Sequence, residues 1–104
     1  MAKYLKTKGE FDEMLKSDKL VVIDFTASWC PPCQAIAPKY EAHATELGDS
    51  VMLCKVDVDE NEETAQHCEI EAMPTFIFFK GGAKVHQIRG ADFDGVKAKI
   101  EELK

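Results

Sequence analysis

No long apolar run is present in the sequence. Its longest apolar stretches, Leu20 to Ile23 and Phe76 to Phe79, are strand-sized and far below the roughly 20 residues of a membrane helix. The start, Met1-Ala2-Lys3-Tyr4-Leu5-Lys6, lacks an apolar leader segment and a small-residue cleavage site. No secretory signal or membrane association is expected, and the expected location is the cytoplasm. Positive charge is scarce. Lys and Arg number 13 against 19 Asp and Glu, a formal net charge of −6. Nucleic-acid binding wants a basic stripe and is not expected. An acidic surface of this size serves solubility. Repeats, low-complexity tracts and linkers are also missing. The 104 residues are expected to form one domain, 1–104, around one core. A second Cys-x-x-Cys is absent, which counts against a zinc site and leaves no metal expected.

With 45% hydrophobic and 31% charged residues, the composition is that of a globular chain. Lys3 to Lys6 offers a short first strand. Thr7 and Glu10 fit a capping box ahead of Phe11, Met14 and Leu15 at helical spacing. Lys19 to Thr26 reads as a strand. Val21, Val22 and Ile23 run without a polar break, so both its faces should be covered. Pro32 to Leu47 reads as a helix with Ile36, Tyr40, Ala44 and Leu47 along one face. Pro38 should kink it and Gly48 should end it. Val51 to Val58 is a second apolar strand. Asp59 to Glu69 carries a short polar helix with Asp59 as its expected cap. Thr75 to Phe79, a turn at Gly81-Gly82 and Lys84 to Arg89 form a hairpin. Phe93, Val96, Ile100 and Leu103 mark a last amphipathic helix. Early βα alternation with a late hairpin predicts an α/β fold, a central mixed five-stranded sheet with four flanking helices on its two faces.

The sharpest chemical feature is Trp29-Cys30-Pro31-Pro32-Cys33, between a predicted strand and a predicted helix. A cysteine at a helix start lies beside unpaired N–H groups and the positive end of the helix dipole. That favours thiolate, the attacking species. A second cysteine one turn inside can close a ring with the first and resolve a mixed disulfide. A chain without an export signal points its cysteines to catalytic, redox-sensing or metal roles before structural ones. A zinc half-site completed by Cys54, Cys68, His43, His67 or His86 is the competing reading.

Asp24 interrupts an apolar strand, where a carboxylate is costly without a use or a partner. Burial would raise its pKa and suit it to exchange a proton with Cys33. A structural acid is the alternative. Lys55, on the neighbouring predicted strand, is a charge partner for Asp24 or else a solvent-facing lysine. Pro74 marks a strand start, since proline cannot donate a ladder bond. Trp29 is either an apolar wall beside Cys30 or core packing. Cys54 reads as a small buried hydrophobe. Cys68 is an inert thiol or a redox-sensitive one.

Taken in order, Val21-Val22-Ile23-Asp24-Phe25, Ala27-Ser28-Trp29-Cys30, Pro32-Cys33, Lys55-Val56-Asp57-Val58-Asp59, Met73-Pro74-Thr75-Phe76 and Gly90 resemble the thioredoxin family over essentially the whole chain, most of all its short cytosolic eukaryotic form. The resemblance implies a thioredoxin fold and protein-disulfide reduction, with Cys30 as nucleophile, Cys33 as resolving thiol, and Asp24 and Lys55 as catalytic partners. It implies a cis Met73–Pro74 bond opposite the cysteines. Trp29, Pro31, Pro32, Met73, Pro74, Thr75 and Gly90 would then line the substrate surface, with the Met73 backbone pairing with an extended substrate segment. Cys68 falls where some relatives carry a regulatory thiol. No bound cofactor is implied. Electrons would come from NADPH through a thioredoxin reductase and pass to peroxiredoxin, ribonucleotide reductase or methionine sulfoxide reductase targets, with the chain acting as a monomer.

Two positions depart from the family. Pro31 stands where most relatives have glycine, a Pro-Pro pair resembling tryparedoxin and nucleoredoxin. Gln34 stands where many have lysine or arginine, which should weaken thiolate stabilisation slightly. Two competing functions follow: a redox-dependent binding module for a signalling partner, and a dedicated tryparedoxin-like electron donor.

Overall fold

The structure is a computed structural model and describes residues 2–104. In chain order the elements are β1 (Lys3–Tyr4), α1 (Lys8–Met14), β2 (Val21–Thr26), α2 (Pro31–Leu47), β3 (Met52–Asp57), α3 (Glu62–His67), β4 (Thr75–Lys80), β5 (Ala83–Arg89) and α4 (Phe93–Leu103). This is the predicted order, with the ends of several elements shifted: β4 and β5 each gain a residue, at Lys80 and Ala83, while β2 and β3 are shorter than expected. β1 keeps two residues of the four expected.

The five strands form one sheet in the order β1-β3-β2-β4-β5. β1, β3 and β2 are parallel. β4 and β5 run antiparallel to their neighbours. The result is the central mixed five-stranded sheet anticipated from the alternation of elements. Gly81 and Gly82 turn the last hairpin with φ of +61° and +80°, a left-handed pair that a β-carbon would disfavour.

Every residue of β2 is buried, as the unbroken apolar run predicted. Alternation along the strands then sorts side chains to two layers. Val22, Leu53, Phe76 and Phe78 pack under Ile36, Tyr40 and Ala44 of α2 and Val96 and Ile100 of α4. Val21, Ile23, Phe25, Val56 and Ile77 pack on the other face with Leu5 and Phe11. Each fully buried side chain of this size contributes about 1.5–3 kcal/mol, so the two layers hold the sheet rigid under the loops at its end.

The helix ends follow local chemistry. Thr7 Oγ1 accepts from Glu10 N at 3.1 Å while Glu10 Oε1 accepts from Lys6 N at 3.0 Å, closing α1 as predicted. α2 starts at Pro31, one residue earlier than expected, and runs through Pro38 without interruption to Gly48, whose φ is +57°. The expected cap of α3 is corrected. Asn61 Oδ1, not Asp59, accepts from Thr64 N at 3.4 Å. Asp57 Oδ1 takes the N–H groups of Asp59 and Glu60 at 2.9 and 3.2 Å. That local turn carries the chain past Asp59 before the helix begins.

Candidate active site

The sheet delivers its functional residues to one end. β2 ends at Thr26, and the loop through Ala27 to Trp29 leads into α2. Cys30 is the N-cap of α2, with Pro31 and Pro32 in the first turn, where a missing N–H costs nothing. Cys30 and Cys33 are joined by a disulfide, with their Cα atoms 5.2 Å apart. The N–H of Cys33 donates to Cys30 Sγ at 3.3 Å. A helix N-terminal donor aimed at that sulfur stabilises negative charge on it once the bond opens.

Cys33 belongs to the buried face of α2, with Ile36, Tyr40 and Ala44. Tyr40 fixes the position of that face. Its hydroxyl lies 3.0 Å from Val22 O and 2.8 Å from Cys54 O, spanning β2 and β3. The seven helical residues back from Tyr40 to Cys33 cover about 10 Å, and three strand residues forward from Val22 cover about the same. Cys33 itself packs with Cys30 and with Ala27, the residue that follows β2.

Cys30 and Cys33 are 4% and 1% exposed. Both prolines are exposed beside them. Trp29 is 62% exposed, which excludes the core-packing alternative. Its indole N–H donates to Asp59 Oδ2 at 2.7 Å. Sequence reasoning missed this role of Asp59. No local signal pointed to it, because Asp59 read equally well as the cap of α3.

On the other side of the cysteines, the Met73–Pro74 bond is cis, as the resemblance implied. Met73 O lies 3.7 Å from Cys30 Sγ. Pro74 and Thr75 are buried. Thr75 Oγ1 donates to Ala72 O at 2.6 Å, and Gly90 N donates to Pro74 O at 2.8 Å. Gly90 has a φ of +96°, a conformation suited to glycine, and its amide ties the end of β5 to this loop. Cys30, Met73, Pro74 and Thr75 are thus gathered at one end of the sheet, with Trp29 at the rim.

Within β2, Asp24 is fully buried, and neither of its oxygens has a hydrogen-bond partner among the described residues. Burial pushes its pKa up to about 7, opposed by Lys55 and reinforced by Glu41. Lys55 is opposite Asp24 in the β2–β3 register. It is 7% exposed, which excludes the solvent-facing reading. Its Nζ lies 4.0 Å from Glu41 Oε1 and 5.1 Å from the centre of the Tyr4 ring.

The remaining cysteines lie elsewhere. Cys54 is buried in the core and burial pushes its thiol up to about 12. Cys68, at the end of α3, is pushed up to about 11, again by burial. Neither favours thiolate at neutral pH. Among the described residues no cluster of three or more His, Cys, Asp or Glu is placed to hold a metal ion, and no helix is long and apolar enough to cross a membrane.

This geometry has close counterparts. The Thioredoxin family model matches residues 3–102. A thioredoxin of Geodia cydonium is 55% identical over the full length of both chains. The structure of Fasciola hepatica thioredoxin superposes with a TM-score of 0.94 at 40% identity, covering 98% of this chain and 99% of that one. A structure described as the basis of the thiol resolving mechanism in yeast mitochondrial 1-Cys peroxiredoxin via glutathione/thioredoxin systems matches with a TM-score of 0.90 at 33% identity, covering 98% and 95% of the two chains.

Proposed function

Because the chain belongs to the thioredoxin family, we propose a division of labour within its redox pair, with Cys30 attacking and Cys33 resolving. The activity itself is protein thiol–disulfide oxidoreduction; the chain is a protein-disulfide reductase working through Cys30 and Cys33. Matches over the whole chain to thioredoxins lend nothing to the binding-module or tryparedoxin-like alternatives.

The observation that carries the assignment is the asymmetry of the pair. Cys30 caps α2 and receives the N–H of Cys33, while Cys33 lies on the buried face of the helix. In the cycle, Cys30 thiolate attacks one sulfur of a target disulfide. A Cys30–target bond forms, the target S–S bond breaks, and a target thiolate leaves. Cys33, deprotonated, then attacks Cys30 Sγ. The second target thiolate leaves, and two electrons have passed from the dithiol to the target. Asp24 serves as the proton-exchanging group for Cys33, supported by its buried carboxyl with a pKa of about 7. Lys55 bears on Asp24 as its buried countercharge.

Substrate enters beside Trp29, Pro31 and Pro32 and lies against Met73, Pro74, Thr75 and Gly90. The exposed indole and the nearness of Met73 O to Cys30 Sγ support this path. An extended substrate backbone would pair with Met73. Thioredoxins work with reductases and disulfide-bearing substrates, and for this chain an NADPH-dependent thioredoxin reductase is the proposed electron source. Peroxiredoxin, ribonucleotide reductase and methionine sulfoxide reductase classes are the proposed targets, the first supported by the structural neighbour described above. The Trp-Cys-Pro-Pro-Cys site belongs in this reading to a short cytoplasmic thioredoxin acting as a monomer, with residues 1–104 as one domain.

The test is trapping. Reduced Cys33→Ser protein mixed with a disulfide substrate should accumulate a mixed disulfide through Cys30, and Cys30→Ser should reduce nothing. Accumulation through Cys33 in the Cys30→Ser variant, with turnover retained, would reverse the roles.

A further inference from the structure

Lys55 stands between two carboxylates that belong to different elements. Asp24 is its partner across the parallel β2–β3 ladder, and Glu41 projects from α2 to within 4.0 Å of its Nζ. The face of the Tyr4 ring closes over the same ammonium at 5.1 Å. Glu41 is itself held, because the backbone N–H of Ala2 donates to its Oε2 at 3.2 Å. The lysine is thus fastened by Glu41 and Tyr4, while both oxygens of Asp24 lack a hydrogen bond among the described residues.

We propose that Glu41 is a positioning residue for thiol exchange: by holding Lys55 from α2, it keeps the Asp24 carboxyl free to carry a proton when Cys33 is engaged. This rests on the reading of Asp24 as the proton-exchanging group for Cys33.

The electrostatics point one way. The charged groups acting on Asp24 are Lys55 from β3, which favours its carboxylate, and Glu41 from α2, which opposes it. From α2 the Tyr40 hydroxyl also faces this layer, but it is engaged by the carbonyls of Val22 and Cys54. β4 brings Phe76 opposite Asp24, and β1 brings the Tyr4 ring. Removing the charge of Glu41 acts on Asp24 twice with the same sign. A repelling anion is lost, and Lys55 is released from a competitor for its positive charge. Both stabilise the Asp24 carboxylate. The side chain of Glu41 is 31% exposed, so its influence is partly screened but not abolished.

Glu41→Gln separates charge from shape, since the amide oxygen still accepts the Ala2 N–H. Glu41→Asp keeps the charge. The measurement is a carbon-13 NMR titration of the Asp24 carboxyl, together with the pH profile of mixed-disulfide resolution. Glu41→Gln should move the Asp24 midpoint down by about half a pH unit, the scale expected of one partly screened charge, and move the rate profile equally. Glu41→Asp should stay near the parent. An unmoved Asp24 midpoint in Glu41→Gln overturns the proposal, as does a Glu41→Asp shift as large as that of Gln. A shifted midpoint with an unmoved rate profile overturns instead the proton-exchange reading of Asp24 on which it rests.

Discussion

Asp24 and Lys55 are paired in register across β2 and β3, yet the lysine ammonium is within ion-pair distance of Glu41 and the aspartate oxygens have no hydrogen-bond partner among the described residues. A carboxyl so placed resists ionisation, and burial is the largest cause of its rise to about 7.

That rise makes stability depend on pH. The folded carboxyl holds its proton from about 4, the ordinary value for aspartate, up to about 7, while the unfolded chain has lost it. Stability therefore falls as pH climbs through this window and stays lowered above it. Asp24→Asn should remove the penalty. The variant should be more stable than the parent by about 2–4 kcal/mol at pH 8 and nearly equal to it at pH 3. Urea unfolding at the two pH values reads the difference directly. A gain at pH 8 no larger than at pH 3 would show that the buried carboxylate costs the fold nothing.

Burial also separates the four thiols. With pKa values of about 12 and about 11, Cys54 and Cys68 are about one part in 10⁴ thiolate or less at neutral pH. Iodoacetamide should modify a single thiol, Cys30, rapidly in the reduced native protein. Cys54 and Cys68 should react only after denaturation. Peptide mapping of the alkylated protein decides it, and labelling of Cys68 at a rate near that of Cys30 would make it a redox-sensitive site after all.

α3 ends on a residue poorly suited to its place. Glu69 N donates to Gln66 O and Ile70 N to Ala65 O, both at 3.0 Å. These bonds close the helix with Glu69 in the left-handed region at φ 56°. A β-carbon there costs about 1 kcal/mol that glycine does not incur. Glu69→Gly should stabilise the protein by about 0.5–1 kcal/mol and leave disulfide reduction unchanged. A lower midpoint in urea would mean that the glutamate side chain contributes more than its backbone costs.

The parts legible in the sequence were those governed by local pattern. The continuous apolar run of β2, the glycine turn, the Thr7–Glu10 cap and the cysteine spacing each carry their meaning within a few residues. What could not be read depends on pairing over distance. Asp59 was a fair cap from its neighbours alone. Its carboxylate instead serves Trp29, 30 positions away in the chain, while Asn61 caps the helix. Tyr40 looked like one more apolar residue of a helical face, and nothing local revealed that its hydroxyl reaches two strands. Nothing in the sequence near Glu41 marks it, since its partner Lys55 comes to it from β3.

The edges of the sheet have a consequence for the chain in concentrated solution. On one side the border strand is β1, only two residues long. On the other it is β5, mostly exposed, carrying Lys84 and an irregular register opposite Phe78 and Phe79. Short, charged and bent borders give a foreign strand little backbone to template on. The segments best able to seed fibrils, Val21 to Phe25 and Phe76 to Phe79, occupy the interior strands β2 and β4, paired on both sides. They become available to another molecule only when the sheet itself opens, so resistance to aggregation and global stability rise and fall together in this fold.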